Sequence, residues 1–357
     1  MVRDNKWDFY KAFLIYCVIL GHIITALKSG DNSLIRLHLF IRTFDMPMFA
    51  LISGYFLRKS CNRNQLHINV LNKICGILLP IIIWNWIYNF LGGHIDLSIG
   101  RFWFLWSIFF TSLIVILIDY VYKKIHISRA ILFVCSILLF HTVIIDKWNI
   151  GFLLFPCIIG YYYNEIVKCY TKIFGGGHTF SIIVLGIFVI CNLFWKGDYN
   201  VWNTGCNILE KGAVWKIILR GIIGITGSFS VIWILGVLYE KIKDSNNRIV
   251  LRCLAEVYKA GRATMEIYIM QTFFVETCGR HIVSIIIRLI GFNPFIANKI
   301  LFSLIIAPSV SLIALIVICK IVYVIKSIPY VGKIIYGFNY KKLEDFLKEN
   351  SINNLKK

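Results

Sequence analysis

Long apolar runs separated by short polar stretches organise this chain. Taking about 20 residues as the length that crosses a bilayer, ten runs can be drawn: roughly 9–27, 37–57, 70–91, 102–122, 129–145, 150–167, 180–195, 213–240, 263–290 and 296–325. The pattern predicts an all-α, polytopic integral membrane protein with about ten transmembrane helices. One domain is expected over residues 1–325, followed by a basic cytoplasmic tail over 326–357. Residues 9–27 resemble a signal peptide in length, but Lys11 and His22 interrupt them and no small-residue cleavage site follows, so a retained first helix is expected.

Composition agrees with that pattern. The 357 residues are 58% hydrophobic and 16% charged, with a mean hydropathy of +0.74, too apolar for a water-soluble domain. The formal net charge of +20 would point to nucleic acid in a soluble protein, yet the cations lie in short loops between apolar runs and no nucleic-acid partner is expected. Alternate loops carry most of them: Arg58, Lys59, Arg63 and Lys73, then Lys123, Lys124 and Arg129, then Lys168 and Lys172, then Lys241 to Lys259. By the positive-inside rule these loops face the cytoplasm, which places both termini inside a multi-pass protein of the inner (plasma) membrane. The tail lysines, Lys341 to Lys357, suit either the anionic inner leaflet or solvent.

Two features need no chemistry. The eleven cysteines form no C-x-x-C pair and no Cys/His cluster at metal-ligand spacing, so no metal is expected. Gly221, Gly224 and Gly227 recur every third residue, as on a close helix-packing face.

Chemistry concentrates in the first two runs. Lys11 and His22 are eleven residues apart; at 100° per residue that interval leaves both side chains on one helix face, about 16 Å apart along the axis. Arg42 and Ser53 repeat the interval in the next run, which returns across the membrane. In such a hairpin His22 and Arg42 share the outer half and Lys11 and Ser53 the cytoplasmic end. Asp45, at i+3 from Arg42, is in reach of pairing with it or of orienting the His22 imidazole. Pro47 follows in mid-helix and frees a backbone carbonyl. Ionisable side chains within membrane helices mark functional sites by default.

These residues resemble the membrane-bound acyltransferase-3 family. The resemblance rests on Arg3, Asp8, the Lys11/His22 and Arg42/Ser53-Gly54-Tyr55 pairs, the run Phe44-Asp45-Met46-Pro47-Met48-Phe49, and Phe102-Trp103-Phe104-Leu105-Trp106. It extends to Gly261–Phe274, similar to a late Gly-x-x-Ser-x-x-x-Tyr-x-x-His block, where Thr264 replaces Ser and Gln271 replaces His. Gln cannot accept a proton at neutral pH, so Gln271 is given no acid–base role. The family implies an enzyme that takes an acyl group, usually acetyl, from cytoplasmic acetyl-CoA or another acyl-CoA. It places the group on a sugar hydroxyl of a cell-surface polysaccharide or its lipid-linked precursor. His22 would be the catalytic histidine, with Lys11, Arg42 and Ser53 lining the donor and reaction site.

The residue types suit that reaction independently. Attack of a hydroxyl on a thioester needs a base and donors for the developing oxyanion, which His22 and Arg42 supply; His22 serves either as general base or as carrier of the acyl group. Donor phosphates need cations at the inner face, for which Lys11, Arg58, Lys59, Arg63 and the Arg252–Arg262 region are candidates. Trp103 and Trp106 suit stacking on sugar or pantetheine, and equally an aromatic belt. Arg262 and Tyr268 flank the inner end of the ninth run, where Arg262 and Glu266 are spaced to pair at i,i+4. The alternative class is a transporter or flippase of a lipid-linked glycan; it calls for an inverted repeat, and the clustering of the charged pairs in two runs favours an enzyme.

Overall fold

A computed structural model of the chain describes residues 4–26, 32–92, 102–142, 149–175, 178–195, 213–274, 305–328 and 330–340. Every element among the described residues is helical, as backbone groups without water require. In chain order they are α1 (Asn5–Ala26), α2 (Asn32–Cys61), α3 (Leu66–Lys73), a π-helical stretch (Ile74–Leu78), α4 (Leu79–Gly92), α5 (Trp103–Ile125) and α6 (Arg129–Thr142). There follow α7 (Ile150–Tyr161), α8 (Tyr163–Phe174), α9 (Thr179–Phe194), α10 (Ala213–Ile242), α11 (Arg248–Arg262), α12 (Thr264–Gln271), α13 (Ala307–Ser327) and α14 (Val331–Tyr336).

The chain is thus an all-α membrane protein. Five described segments are long and apolar enough to cross a bilayer, Asn5–Thr25, Leu66–Phe90, Trp103–Ile125, Val214–Ile242 and Ala307–Ser327; α7 and α8 add a sixth if that bent pair is one span. The expected number of ten is not reached among the described residues. Much of the ninth and tenth runs lies outside them, and so do Arg3 and the tail lysines from Lys341 onward.

The helices group into two compact units. The first holds α1, the first part of α2, α9 to α12, and most of α8 and α13; the second holds the rest of α2, α3 to α7, the end of α13, and α14. In the first unit α1 is the enclosed element. Leu14, Ile15, Val18 and Ile19 are fully buried, and 72% of its apolar window is covered, against 22% for α13. Most side chains on α1 are therefore covered by protein.

Close approach of α10 to α2 uses the glycine face seen in the sequence. A β-carbon on Gly224 would lie 3.0 Å from the Pro47 ring, and one on Gly227 would lie 3.0 Å from Phe44 Cβ. Pro47 has no N–H for the carbonyl of Thr43, and that carbonyl also faces Gly224, 3.8 Å from the same position. The helix-breaking residue is tolerated because a neighbouring helix covers it.

In the second unit, α2 and α7 cross with their backbones touching. A β-carbon on Gly54 would collide with the Cys157 carbonyl, and one on Gly160 with the Leu51 carbonyl, so both positions require glycine. The π-helical stretch ahead of Pro80 has a comparable logic. With i→i+5 bonding, the partner of the Cys75 carbonyl would be Pro80, which has no N–H; that carbonyl accepts from the Phe338 N–H at 3.3 Å. Gly337 makes the turn at φ 76°. Among the described residues of 326–357, α14 docks on α4 through stacking of Tyr336 on Trp84 and a 3.1 Å bond from Trp84 Nε1 to the Ile335 carbonyl.

Candidate functional site

His22 near the end of α1 and Arg42 and Asp45 in the first part of α2 form one polar group. Arg42 stands at its centre: Nη1 donates to Asp45 Oδ2 at 3.1 Å, and Nη2 lies 3.4 Å from His22 Nε2. A guanidinium has no acceptor, so His22 Nε2 is the acceptor in this contact and the neutral ring carries its proton on Nδ1. Asp45 is fully buried and its Oδ1 also accepts from the Met46 N–H at 2.6 Å. Of the two roles open to Asp45, the structure shows pairing with Arg42.

Helix geometry produces this arrangement. Arg42 and Asp45, at i,i+3, share a face of α2, and α1 presents His22 to it. Gly21 leaves the necessary space, since a β-carbon there would lie 3.2 Å from His38 Nδ1 and 3.8 Å from Arg42 Nη2. His38 was not among the residues singled out from sequence. It lies one turn before Arg42, and its Nδ1 contacts the Gly21 carbonyl at 3.1 Å; its only signal in the sequence is the i,i+4 spacing to Arg42.

Lys11 belongs to a second polar group near the start of α1. Its ammonium is 2.8 Å from Asp8 Oδ1, with the side chain only 20% exposed, so it is tied down within the protein. Arg262 Nε reaches the other oxygen of Asp8 at 3.5 Å. The chain approach that allows this is set by Gly261, where a β-carbon would collide with the Asp8 carbonyl. Asp8, quoted above only as part of a resemblance, is thus the buried carboxylate that joins α1 to α11. Arg262 and Glu266 lie on either side of a break at Ala263 (φ −104°, ψ 24°), Arg262 ending α11 and Glu266 in the first turn of α12. Thr264 Oγ1 turns back to the Gly261 carbonyl at 2.6 Å. Tyr268 is buried on α12, and Gln271 is fully buried at its end.

Ser53, Trp103 and Trp106 belong to the second unit. Ser53 is half-buried beside the Gly54 crossing. Trp106 stacks on Phe110 of its own helix, with ring centroids 5.9 Å apart. Arg58 lies over the Tyr161 ring at 4.7 Å. The structure therefore brings His22, Arg42 and Asp45 together, and Lys11 with Arg262. No group of three or more His, Cys, Asp or Glu positioned to hold a metal occurs among the described residues.

An imidazole, a guanidinium and a carboxylate in contact within a helical membrane protein mark a candidate functional site. The acyltransferase domain family matches residues 4–324, and the chain belongs to that acyltransferase-3 family. Among its relatives, Nodulation protein NolL of Sinorhizobium fredii is 30% identical over 124 residues, covering 30% of this chain and 34% of the relative. Nodulation protein NolL of Mesorhizobium japonicum is 28% identical over 131 residues, covering 32% and 35%. The chain thus spans about a third of the length of the curated relatives it matches. No solved structure matches it.

Proposed function

We propose that this protein is a membrane O-acyltransferase that moves an acetyl group from cytoplasmic acetyl-CoA to a sugar hydroxyl of a cell-surface polysaccharide or its lipid-linked precursor. The observation that carries the reading is Arg42, buried and shared between Asp45 and His22. Family membership supports acyl transfer; the loop charge asymmetry supports an inner-membrane protein with cytoplasmic termini and a donor arriving from inside.

Each residue has work that its chemistry suits. When substrate draws Arg42 away from His22 Nε2, that nitrogen takes the proton of the attacking hydroxyl, or accepts the acyl group and passes it on; in both routes the tetrahedral carbon develops an oxyanion, whose collapse breaks the C–S bond and releases coenzyme A, protonated on sulfur by the proton the hydroxyl gave up. Arg42 faces that charge with donors that need little reorganisation. Asp45 holds one edge of the guanidinium, leaving the other edge toward His22. Lys11 and Arg262, both on Asp8, offer net positive charge to donor phosphates. Tyr268 is proposed as a further donor or acceptor contact in the same unit, and Ser53, Trp103 and Trp106 as binding residues of their own unit.

The test uses the full chain in membrane vesicles with radiolabelled acetyl-CoA and mass spectrometry of the envelope glycan. Wild type adds acetyl groups to glycan and His22→Ala does not. Equal acetylation by His22→Ala protein of unchanged thermal stability would remove the proposal.

A further inference from the structure

The geometry points to His38 as the positioning residue of the transfer site: it holds the main chain of α1 beside His22, one helical turn from the point where Arg42 holds the His22 side chain. This inference rests on the reading of His22 as the transfer residue and adds the device that keeps it in place.

Hydrogen-bond chemistry assigns the protons. The Gly21 carbonyl can only accept, so the His38 Nδ1 at 3.1 Å is the donor. The neutral His38 ring is therefore the Nδ1–H tautomer. Thr25 Oγ1 donates to the same carbonyl at 2.9 Å and lies 3.5 Å from His38 Nδ1. One carbonyl oxygen of α1, in the residue directly before His22, thus receives donors from both helices.

His38 and Arg42, at i,i+4, project from one face of α2. The first grips the backbone of Gly21 and the second the ring of His22. Two contacts one turn apart fix both the rotation and the height of α1 against α2, which a single contact cannot. Gly21 belongs to the same device, because a β-carbon there would press on the His38 ring at 3.2 Å from Nδ1. His38 itself faces Gly21 and Thr25. Displacing a reacting group by about 1 Å lowers rates by about 100-fold, and removing a partner that orients an active residue typically costs about 10- to 100-fold.

The experiment compares His38→Ala, His38→Asn, His38→Gln and His22→Ala, each as the full chain in vesicles, with radiolabelled acetyl-CoA as donor and envelope glycan as acceptor. Asn places an amide N–H near the position of Nδ1; Gln places it further out. His38→Ala is expected to lower kcat about 10- to 100-fold with KM for acetyl-CoA unchanged. His38→Asn should recover most of the rate, and His38→Gln should not. Nitrogen-15 spectra of histidine-labelled protein in bilayers, assigned by loss of a signal in His38→Asn, should show His38 protonated on Nδ1. A wild-type rate in His38→Ala, absence of rescue by Asn, or an Nε2–H tautomer overturns the inference. If His22→Ala is inactive while His38→Ala is fully active, this inference alone fails; if His22→Ala retains the full rate, the reading of His22 fails and the positioning role with it.

Discussion

Two buried carboxylates, one in each unit, show how similar charge groups do different work. Asp119 on α5 is 3% exposed and receives Lys123 at 2.7 Å, Arg129 at 2.9 Å and the Tyr161 hydroxyl. Those partners are committed elsewhere too: Lys123 donates to the Cys61 carbonyl at 2.8 Å, and Arg129 covers the Tyr122 ring at 3.7 Å. The group clasps α5, α6, α7 and the end of α2. Asp45 differs in what its cation does next, because Arg42 turns its second nitrogen to an imidazole. The number of buried charges does not separate a clasp from a candidate site. In the proposed reading the imidazole separates them, because it becomes a base once the shared guanidinium turns to the developing oxyanion.

The comparison can be broken most decisively at His22. Replacement by Ala is expected to lower transfer by about 1,000-fold, within the range of general base catalysis, with an unchanged melting temperature; radiolabel transfer in vesicles measures the first and fluorescence-detected unfolding the second. Asp45→Asn keeps the shape but removes the charge that orients Arg42, so a fall in kcat of about 100-fold is expected. Full activity in that variant would assign Asp45 to packing.

Asp119→Asn should behave in the opposite way. It leaves Arg129 partly buried without its counter-charge, and about 2 kcal/mol of stability should be lost, below the range for a fully buried pair because Lys123 is half exposed. Specific activity of the folded fraction should stay at the wild-type level. A large kinetic loss without destabilisation would erase the distinction between the two carboxylates. The smallest effect is expected for Arg262→Ala, whose side chain is 43% exposed: KM for acetyl-CoA rises about threefold with kcat unchanged, as suits an exposed ion pair worth under about 1 kcal/mol.

Much of the site was legible because it depends on helical period. The shared face of Arg42 and Asp45 follows from their i,i+3 spacing, and the approach of His22 to Arg42 from placing two runs in a hairpin. Gly224 and Gly227 were readable as packing positions, although that they face Pro47 and Phe44 was not. Asp8 was harder: its i,i+3 partner Lys11 lies on the same helix, but Arg262 comes from a helix distant in sequence. Gly54, read as part of a motif, is a contact point for α7. The helix break at Ala263, between Arg262 and Glu266, left no mark in their i,i+4 spacing. His38 carried no pattern of its own beyond its distance from Arg42.

Sequence alone determined the all-helical membrane class, the apolar runs and which polar residues share a helix face, because backbone geometry and the absence of water in hydrocarbon set those locally. Tertiary structure decided which faces meet: Arg42 with His22, Asp8 with Arg262, Gly54 with the backbone of α7. Lipid is as apolar as a leucine face, so hydrophobicity does not select partners between helices. That choice falls to small residues that admit a neighbouring backbone, and to buried donors and acceptors that must be matched across the crossing.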